Sequence, residues 1–195
     1  EESDIIHLLG EWVLNEACRQ MNEWRAANLT LVPIAINFSA FQFRRTTLVQ
    51  GVQAALARHG IDPALLEIEL TENAIMQDPK ETSKTLDLLH EMGVGLAVDD
   101  FGTGYSSLNY LKRFPIDKLK IDRTFVEDLP DNLNDSAIVL AIVNLARSLD
   151  MTVVAEGVET RPQLNFLRGI GCEAYQGYLG GRPMEPARFA ALLPH

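Results

Sequence analysis

The sequence predicts an α/β fold in which parallel strands alternate with helices and the sheet closes into a barrel. Six strand-like segments are each followed by a helical segment over a short connection, which is typical of a parallel sheet covered by helices. Polar residues stand at or near the C-terminal end of every one of these strands. A closed barrel brings all such ends to one mouth, whereas an open sheet gathers ligand groups around one switch point. The polar strand ends therefore favour the barrel.

The composition is that of one globular domain. Of the 195 residues, 47% are hydrophobic and 23% are charged, which is enough apolar sequence to bury a core. A net charge of -10 and a pI near 4.8 disfavour a protein that binds long nucleic acid through phosphate contacts. Cys18 and Cys172 are expected to be reduced thiols. Without a secretory signal or an apolar stretch long enough to span a membrane, we expect a cytoplasmic domain without membrane contact, alone or in a membrane-anchored protein.

Hydrophobic periodicity predicts the elements in chain order. Leu9, Trp12, Met21 and Trp24 recur at helical spacing and predict a long first helix over residues 1–28. The β-rich segment "LVPIAINFS" then precedes helical "TTLVQGVQAALARHG", where Gly60 marks the helix end. The five further pairs are "LLEIELT" with "KETSKTLDLLHEMG", "VGLAVDD" with "YSSLNYLKRF", "DKLKID" with "DSAIVLAIVNLARSLD", "TVVAEG" with "RPQLNFLRGIG", and "AYQGYLG" with "PARFAALL".

The first helix has no strand before it in the sequence. A complete barrel of eight strand–helix units needs roughly 250 residues. About two strands are therefore expected to be missing by the eight-strand rule. Either the chain was cut inside the domain, or the upstream residues lie outside the sequence.

The strand ends carry an oxygen-rich set of side chains. Carboxylates and amides suit hard divalent cations such as Mg²⁺ or Mn²⁺, and the set is Asn37, Glu69, Asp99, Asp100 and Glu156. It includes no His or Cys, which disfavours a zinc site of the usual kind. Crowded carboxylates without a cation would raise the pKa of one another. Lys120 adds a positive charge that can hold a water molecule or offset charge on a phosphate.

Each of these residues also has a structural interpretation when it is taken alone. An acid at a strand-to-helix junction, such as Asp99, is more often an N-cap than a ligand. Glu69 can be an ordinary strand end and Lys120 a surface lysine, while Ser106 and Ser107 are expected to cap the following helix. These interpretations weaken together, because independent surface residues have no reason to recur at the same point of six successive units.

Six longer motifs span the whole chain in order: "NFSAFQFR", "ELTEN", "VDDFGTGYSSLNYL", "FPIDKLKID", "VVAEGVET" and "YQGYLGGRPM". They resemble the successive motifs of EAL domains, the bacterial cyclic di-GMP phosphodiesterases, and identify residues 1–195 as one such domain. The resemblance implies a TIM-type (β/α)8 barrel of the EAL kind with an antiparallel first strand, about six units being present and the first two strands missing. It also implies two Mg²⁺ or Mn²⁺ ions at the mouth and hydrolysis of cyclic di-GMP to linear pGpG.

The resemblance assigns roles to individual residues. Lys120 matches the lysine that orients the attacking water, and Glu156 matches an acid described as general base or metal-associated. Gln176 matches a residue that supports this water and the substrate. The residues that match metal ligands are Asn37, Glu69 and Asp99, with Asp100 matching the acid of the second metal.

Supporting roles come from the same resemblance. Glu72 matches the glutamate that steadies the loop "DFGTGYSSL", which contains Gly102 and Gly104. Asp122 and Glu159 match supporting acids near the site. The Glu-Ala-Leu motif itself, with its metal-binding Glu and a nearby substrate-binding Arg, belongs to a strand that would precede residue 1. A smaller departure is "LGGRPM", where the family usually has a bulkier residue before a Ser and then Lys- or Arg-Pro-Met. It concerns the rim of the site and the fit of the ligand.

The predicted function is metal-dependent hydrolysis of cyclic di-GMP in bacterial second-messenger signalling. The 195-residue chain alone is expected to be impaired or inactive, because a metal ligand and part of the barrel wall would be absent. The alternative is a non-catalytic sensor or effector that binds cyclic di-GMP, and a third possibility is a dimerisation platform. The resemblance further implies a homodimer and neighbouring GGDEF or sensor domains.

Overall fold

The computed structural model describes residues 2–43, 47–104 and 108–193. Within these ranges the strands are β1 (Ile34–Phe38), β2 (Leu66–Thr71), β3 (Gly95–Phe101), β4 (Lys118–Ile121), β5 (Thr152–Ala155) and β6 (Ala174–Tyr175). The helices are α1 (Glu2–Ala26), α2 (Ala40–Phe43), α3 (Leu48–His59), α4 (Glu72–Met76), α5 (Pro79–Glu91), α6 (Leu108–Leu111), α7 (Leu133–Ser148), α8 (Arg161–Gly169) and α9 (Pro186–Ala190). Ser106 and Ser107, expected as helix caps, lie outside the described residues.

The strands form a six-stranded sheet in the order β1-β2-β3-β4-β5-β6, so each strand neighbours the next one along the chain. The pairings resolved residue by residue are parallel. Parallel neighbours need a crossover between them, and the intervening helices supply it. The predicted α/β alternation is therefore confirmed.

Contacts divide the chain into two units, of which the first contains Glu1–Leu70, Gln77–Leu96 and Met184–His195. Helix α1 buries the side chains of Leu14, Cys18 and Met21, which recur at helical spacing. Leu9 and Trp12, predicted on the same apolar face, are exposed. Leu9 lies roughly 100° around the helix from the buried stripe, and Trp12 lies on nearly the opposite side.

The second unit contains Thr71–Met76 and Ala97–Pro183. Strands β4 and β5 pair in register, with Lys120 opposite Val154. Three consecutive residues of β4, Leu119, Lys120 and Ile121, are buried. Such burial on both faces is usual for a strand of a parallel sheet, and here it encloses a lysine.

Two further features bear on the expectations from the sequence. Cys18 and Cys172 are free, buried thiols. Among the described residues, the helices all lack the combination of length and apolar composition that a membrane crossing requires.

Candidate active site

Three acidic side chains meet in the second unit. Asp99, Asp100 and Glu156 each direct one carboxylate oxygen into a group whose atoms lie within 4.8 Å of one another. Asp99 is buried and the other two are partly buried. Oxygen ligands at this spacing fit a hard divalent cation, so this group could hold a metal ion.

A distortion of strand β3 brings adjacent aspartates into this group. Successive residues of a regular strand point to opposite faces of the sheet. The pairing of β3 with β4 shifts register between Val98 and Phe101, and Asp100 has a positive φ of 53°. Asp is among the few non-glycine residues that adopt this left-handed conformation. The local bulge thus explains how both carboxylates reach the same cluster.

Lys120 lies between two of the acids. Its Nζ is 2.7 Å from Glu156 Oε1 and 3.0 Å from Asp99 Oδ1, and its side chain is only 5% exposed. The three residues come from the ends of the neighbouring strands β3, β4 and β5. A buried ammonium between two carboxylates offsets part of their mutual repulsion.

Asp100 and Asp122 form a carboxyl pair beside the cluster. Burial raises the pKa of Asp100, and the Asp99 charge and the contact with Asp122 raise it further. Burial also acts to raise the pKa of Asp122, but hydrogen bonds from the hydroxyl and backbone N–H of Thr124 outweigh it and hold that pKa below its ordinary value. A divalent cation among these carboxylates would favour their ionised forms.

Asn37 and Glu69 meet in the first unit. They are register partners on the parallel strands β1 and β2, and Asn37 Nδ2 donates a hydrogen bond of 3.1 Å to Glu69 Oε2. Glu69 is buried and Asn37 is exposed. Because the amide nitrogen is the donor, the amide oxygen takes no part in this hydrogen bond and can still accept.

Glu72 holds the segment that follows strand β3. Its Oε2 accepts hydrogen bonds from the backbone N–H groups of Gly102, at 2.9 Å, and Gly104, at 3.4 Å. The side chain is only 2% exposed. Gly102 has φ of 101°, and a Cβ on Gly104 would lie 2.9 Å from Asn73 Oδ1. The positive φ favours glycine at position 102, and at position 104 any larger residue would displace the side chains of Asn73 and Glu72.

The remaining predicted site residues lie at loops. Asp122 accepts a hydrogen bond from Thr124 N at 2.9 Å and so begins the 3₁₀ turn Arg123–Phe125. Glu159 forms an exposed ion pair of 3.6 Å with Arg123. Gln176 is exposed, and its backbone N–H donates to Ala155 O at 2.8 Å.

The structure thus brings the predicted residues together in three groups. One is Asp99, Asp100, Lys120 and Glu156, with Asp122 beside it. The others are Asn37 with Glu69, and Glu72 with the two glycines. A single site that contains all of them stays a prediction.

Gln163 was not singled out from the sequence. It is buried, and its side chain completes a capping box with Thr160 at the start of α8. The signal is present in the sequence as Thr-x-x-Gln before a helical segment. It predicts a helix start and gives no indication of the other contacts that Gln163 makes.

The chain is similar in sequence to known proteins. A family model described as "EAL domain" matches residues 1–183. The bifunctional diguanylate cyclase/cyclic di-GMP phosphodiesterase MucR of Pseudomonas aeruginosa is 49% identical over 191 residues, which are 98% of this chain and 28% of MucR. The chain spans about a quarter of the length of the curated relatives that it matches.

Solved structures are also similar. The complex of PaMucR phosphodiesterase with cyclic di-GMP has a TM-score of 0.92 at 49% identity, covering 97% of this chain and 76% of that chain. A manganese and cyclic di-GMP complex of Klebsiella pneumoniae BlrP1 has a TM-score of 0.82 at 31% identity, covering 91% and 45%. The predicted fold class, α/β of the TIM-like barrel type, is confirmed by such neighbours.

Proposed function

The chain belongs to the EAL domain family, and we propose that it supplies the catalytic site of a metal-dependent phosphodiesterase that hydrolyses cyclic di-GMP to linear pGpG. The observation that carries the proposal is Lys120, whose buried ammonium lies between Asp99 and Glu156. A purely structural cluster would have no need to place a buried lysine, a buried acid and two partly buried acids at adjoining strand ends, because burying charge is costly. A site for phosphoryl chemistry needs such preorganised charge.

Two Mg²⁺ or Mn²⁺ ions would be held by Asn37, Glu69, Asp99 and Asp100. These residues offer only oxygen donors, as both cations prefer. The acid cluster and the Asn37–Glu69 pair each supply part of such a set. When bound, the ions would activate a water molecule and offset charge on the phosphate. The manganese complex of BlrP1 supports this choice of cation.

The chain's own residues would handle the water and its proton. Glu156 accepts a proton from the attacking water as the new P–O bond forms and the P–O bond to the 3′ oxygen breaks. The leaving oxygen takes a proton from solvent, which yields a linear dinucleotide with a 5′ phosphate. Lys120, 2.7 Å from Glu156, orients the water and offsets the charge that develops on the phosphate. Gln176 supports the water and substrate.

Glu72, Asp122 and Glu159 would act as supporting residues. Glu72 fixes the segment after Asp99 and Asp100 through its hydrogen bonds to Gly102 and Gly104. Fixing this segment keeps the two aspartates in one geometry. Residues on loops are positioned less precisely than residues on strands, so this support preorganises the two carboxylates.

We further propose a homodimeric, cytoplasm-facing signalling protein with GGDEF or sensor domains beside this one. Exposed apolar side chains on α7, namely Leu133, Ile138 and Leu140, support a dimer contact. The proposal of neighbouring domains is supported by MucR, whose name includes both a diguanylate cyclase and a phosphodiesterase.

Turnover by the protein that carries this chain tests the proposal. Cyclic di-GMP is incubated with the purified protein and Mn²⁺, and pGpG is measured by chromatography with and without EDTA. We expect pGpG only when the cation is present. Tight binding of cyclic di-GMP without any pGpG would instead support the non-catalytic sensor.

A further inference from the structure

Gln163 makes more hydrogen bonds than a helix cap requires. The residue is 4% exposed and lies in the first turn of α8. Its Oε1 accepts from the backbone N–H groups of Glu159, at 2.9 Å, and Thr160, at 2.8 Å. Its Nε2 donates to the carbonyl oxygens of Val126, at 3.1 Å, and Glu127, at 3.0 Å. All four hydrogen-bonding positions of the amide are therefore occupied.

These bonds join two segments that follow neighbouring strands. Val126 and Glu127 directly follow the 3₁₀ turn Arg123–Phe125, which comes after β4, the strand that carries Lys120. Glu159 and Thr160 end the loop that begins with Glu156 directly after β5. One buried amide thus links the segments that follow the two partners of the 2.7 Å ion pair.

Two other contacts occur at the same junction. Gly157 has φ of 69°, and a Cβ there would lie 2.4 Å from Arg123 Cγ, so the two segments approach closely. Arg123 also forms its ion pair with Glu159 across the junction. The ion pair is exposed and contributes little energy. The buried amide is the stronger of the two polar links.

The nitrogen of Gln163 distinguishes a bridge from a cap. A capping box needs only an acceptor at this position, and Glu serves as well as Gln. Glu would also interact more favourably with the positive end of the helix dipole. Only Gln offers the two N–H donors that Val126 O and Glu127 O accept.

We propose that Gln163 is a positioning residue that fixes Glu156 relative to Lys120 by tying the loop after β5 to the turn after β4. The inference rests on the proposed function, because it assigns Lys120 and Glu156 to the reaction. Gln163 itself does not touch the reacting atoms. Its effect is on the geometry in which the ion pair meets the water and the phosphate.

The Gln163→Glu variant separates the two roles. It keeps an acceptor for Glu159 N and Thr160 N and replaces the donor that faces the two carbonyl groups. We expect kcat to fall at least tenfold while KM for cyclic di-GMP stays within about twofold. Gln163→Met removes both roles and has a similar size, so the same loss of kcat is expected with a larger fall in Tm. If Gln163→Glu does not fold, a kcat in Gln163→Met of at least half the wild-type value would contradict the positioning role.

Asp78→Ala is the matched control. Asp78 caps α5 in the first unit by accepting from Glu81 N at 3.3 Å, and this hydrogen bond is local to the start of that helix. We expect the Tm of Asp78→Ala to fall because a helix cap is lost. Its kcat should stay within twofold of the wild type. If Gln163→Glu keeps at least half of the wild-type kcat, or if kcat falls in Asp78→Ala as well, the positioning role is wrong.

Hydrogen exchange gives a readout that does not depend on turnover. In Gln163→Glu we expect the amides of residues 123–127 to exchange at least tenfold faster, while the first turn of α8 keeps wild-type protection. Equal acceleration in both segments, or in neither, would overturn the bridge. Absence of pGpG in the wild type would contradict the proposed function, and exchange would still decide whether the bridge exists.

Discussion

Lys120 Nζ lies 2.7 Å from Glu156 Oε1, and both groups are largely shielded from solvent. Asp99 contacts the same ammonium at 3.0 Å. One lysine therefore connects the ends of three neighbouring strands. This arrangement links the stability of the second unit to the chemistry proposed for it, because the same charge serves both.

Lys120→Met should reduce both stability and turnover. Removal of one partner leaves the buried acids uncompensated, which costs about 3–5 kcal/mol of unfolding free energy. Urea denaturation in EDTA measures this, and the loss should shrink when Mn²⁺ is added. Turnover of cyclic di-GMP should fall at least a hundredfold.

Lys112→Met is the control for this change, since Lys112 is exposed. It should stay within about 0.5 kcal/mol of the wild type. A Lys120→Met protein as stable as this control in EDTA would contradict the account of the ion pair.

Glu72→Gln should loosen the segment after β3. The substitution preserves size but removes the charge that strengthens the hydrogen bonds from Gly102 and Gly104. We expect Mn²⁺ affinity, measured by calorimetry, and turnover each to fall about tenfold, equivalent to about 1.4 kcal/mol. Glu91→Gln, at an exposed position, should change neither. Unaltered Mn²⁺ affinity in Glu72→Gln would refute the proposed support of the metal ligands.

Two glycine substitutions should act in opposite directions. Gly102→Ala places a side chain where φ is 101° and a Cβ would lie 3.0 Å from Phe125, so it should destabilise by at least about 1 kcal/mol. Gly51→Ala lies within α3 with open space around its Cβ and should stabilise by about 0.5–1 kcal/mol. Thermal unfolding compares them, and a stabilising Gly102→Ala would contradict the backbone path described.

Cys172 should be unreactive in the folded protein. Burial raises the pKa of its thiol to about 11, so at pH 8 only about one molecule in a thousand carries the reactive thiolate. Labelling with a disulfide reagent should be slow at pH 8 and fast after addition of urea. Fast labelling of Cys172 before unfolding would contradict its burial.

The raised pKa of the Cys172 thiol also makes the stability of the protein depend on pH. The unfolded thiol loses its proton near pH 8.5, before the folded one. Between that pH and about 11 the unfolded state binds fewer protons, so unfolding free energy falls as pH rises. Cys172→Ala should weaken this dependence in urea titrations between pH 7 and 10.

The alternation of strands and helices could be predicted from the sequence, because the spacing of apolar residues differs between strands and helices. Polar residues also recur at the C-terminal end of each successive strand. Strand β6 is shorter than predicted, since only Ala174 and Tyr175 pair. The exposed Leu9 and Trp12 show that apolar spacing alone does not fix which helix face is buried.

The candidate site residues could be named from motifs, but their geometry could not be predicted. The bulge at Asp100 depends on the register between β3 and β4, which is a long-range property. The carboxyl pair of Asp100 and Asp122 and the double bridge by Gln163 likewise join residues that are distant in sequence. Local patterns contain no information about such pairings.

The proposed mechanism has Glu156 take the proton of the attacking water. Glu156→Gln keeps the size of the side chain and its contact with Lys120 but removes the base. In the protein that carries this chain, with Mn²⁺, the rate of pGpG formation should fall by about 10²- to 10⁴-fold while calorimetry still detects cyclic di-GMP binding. Glu185→Gln, at an exposed position, should keep the wild-type rate. A rate in Glu156→Gln within tenfold of the wild type would contradict the claim.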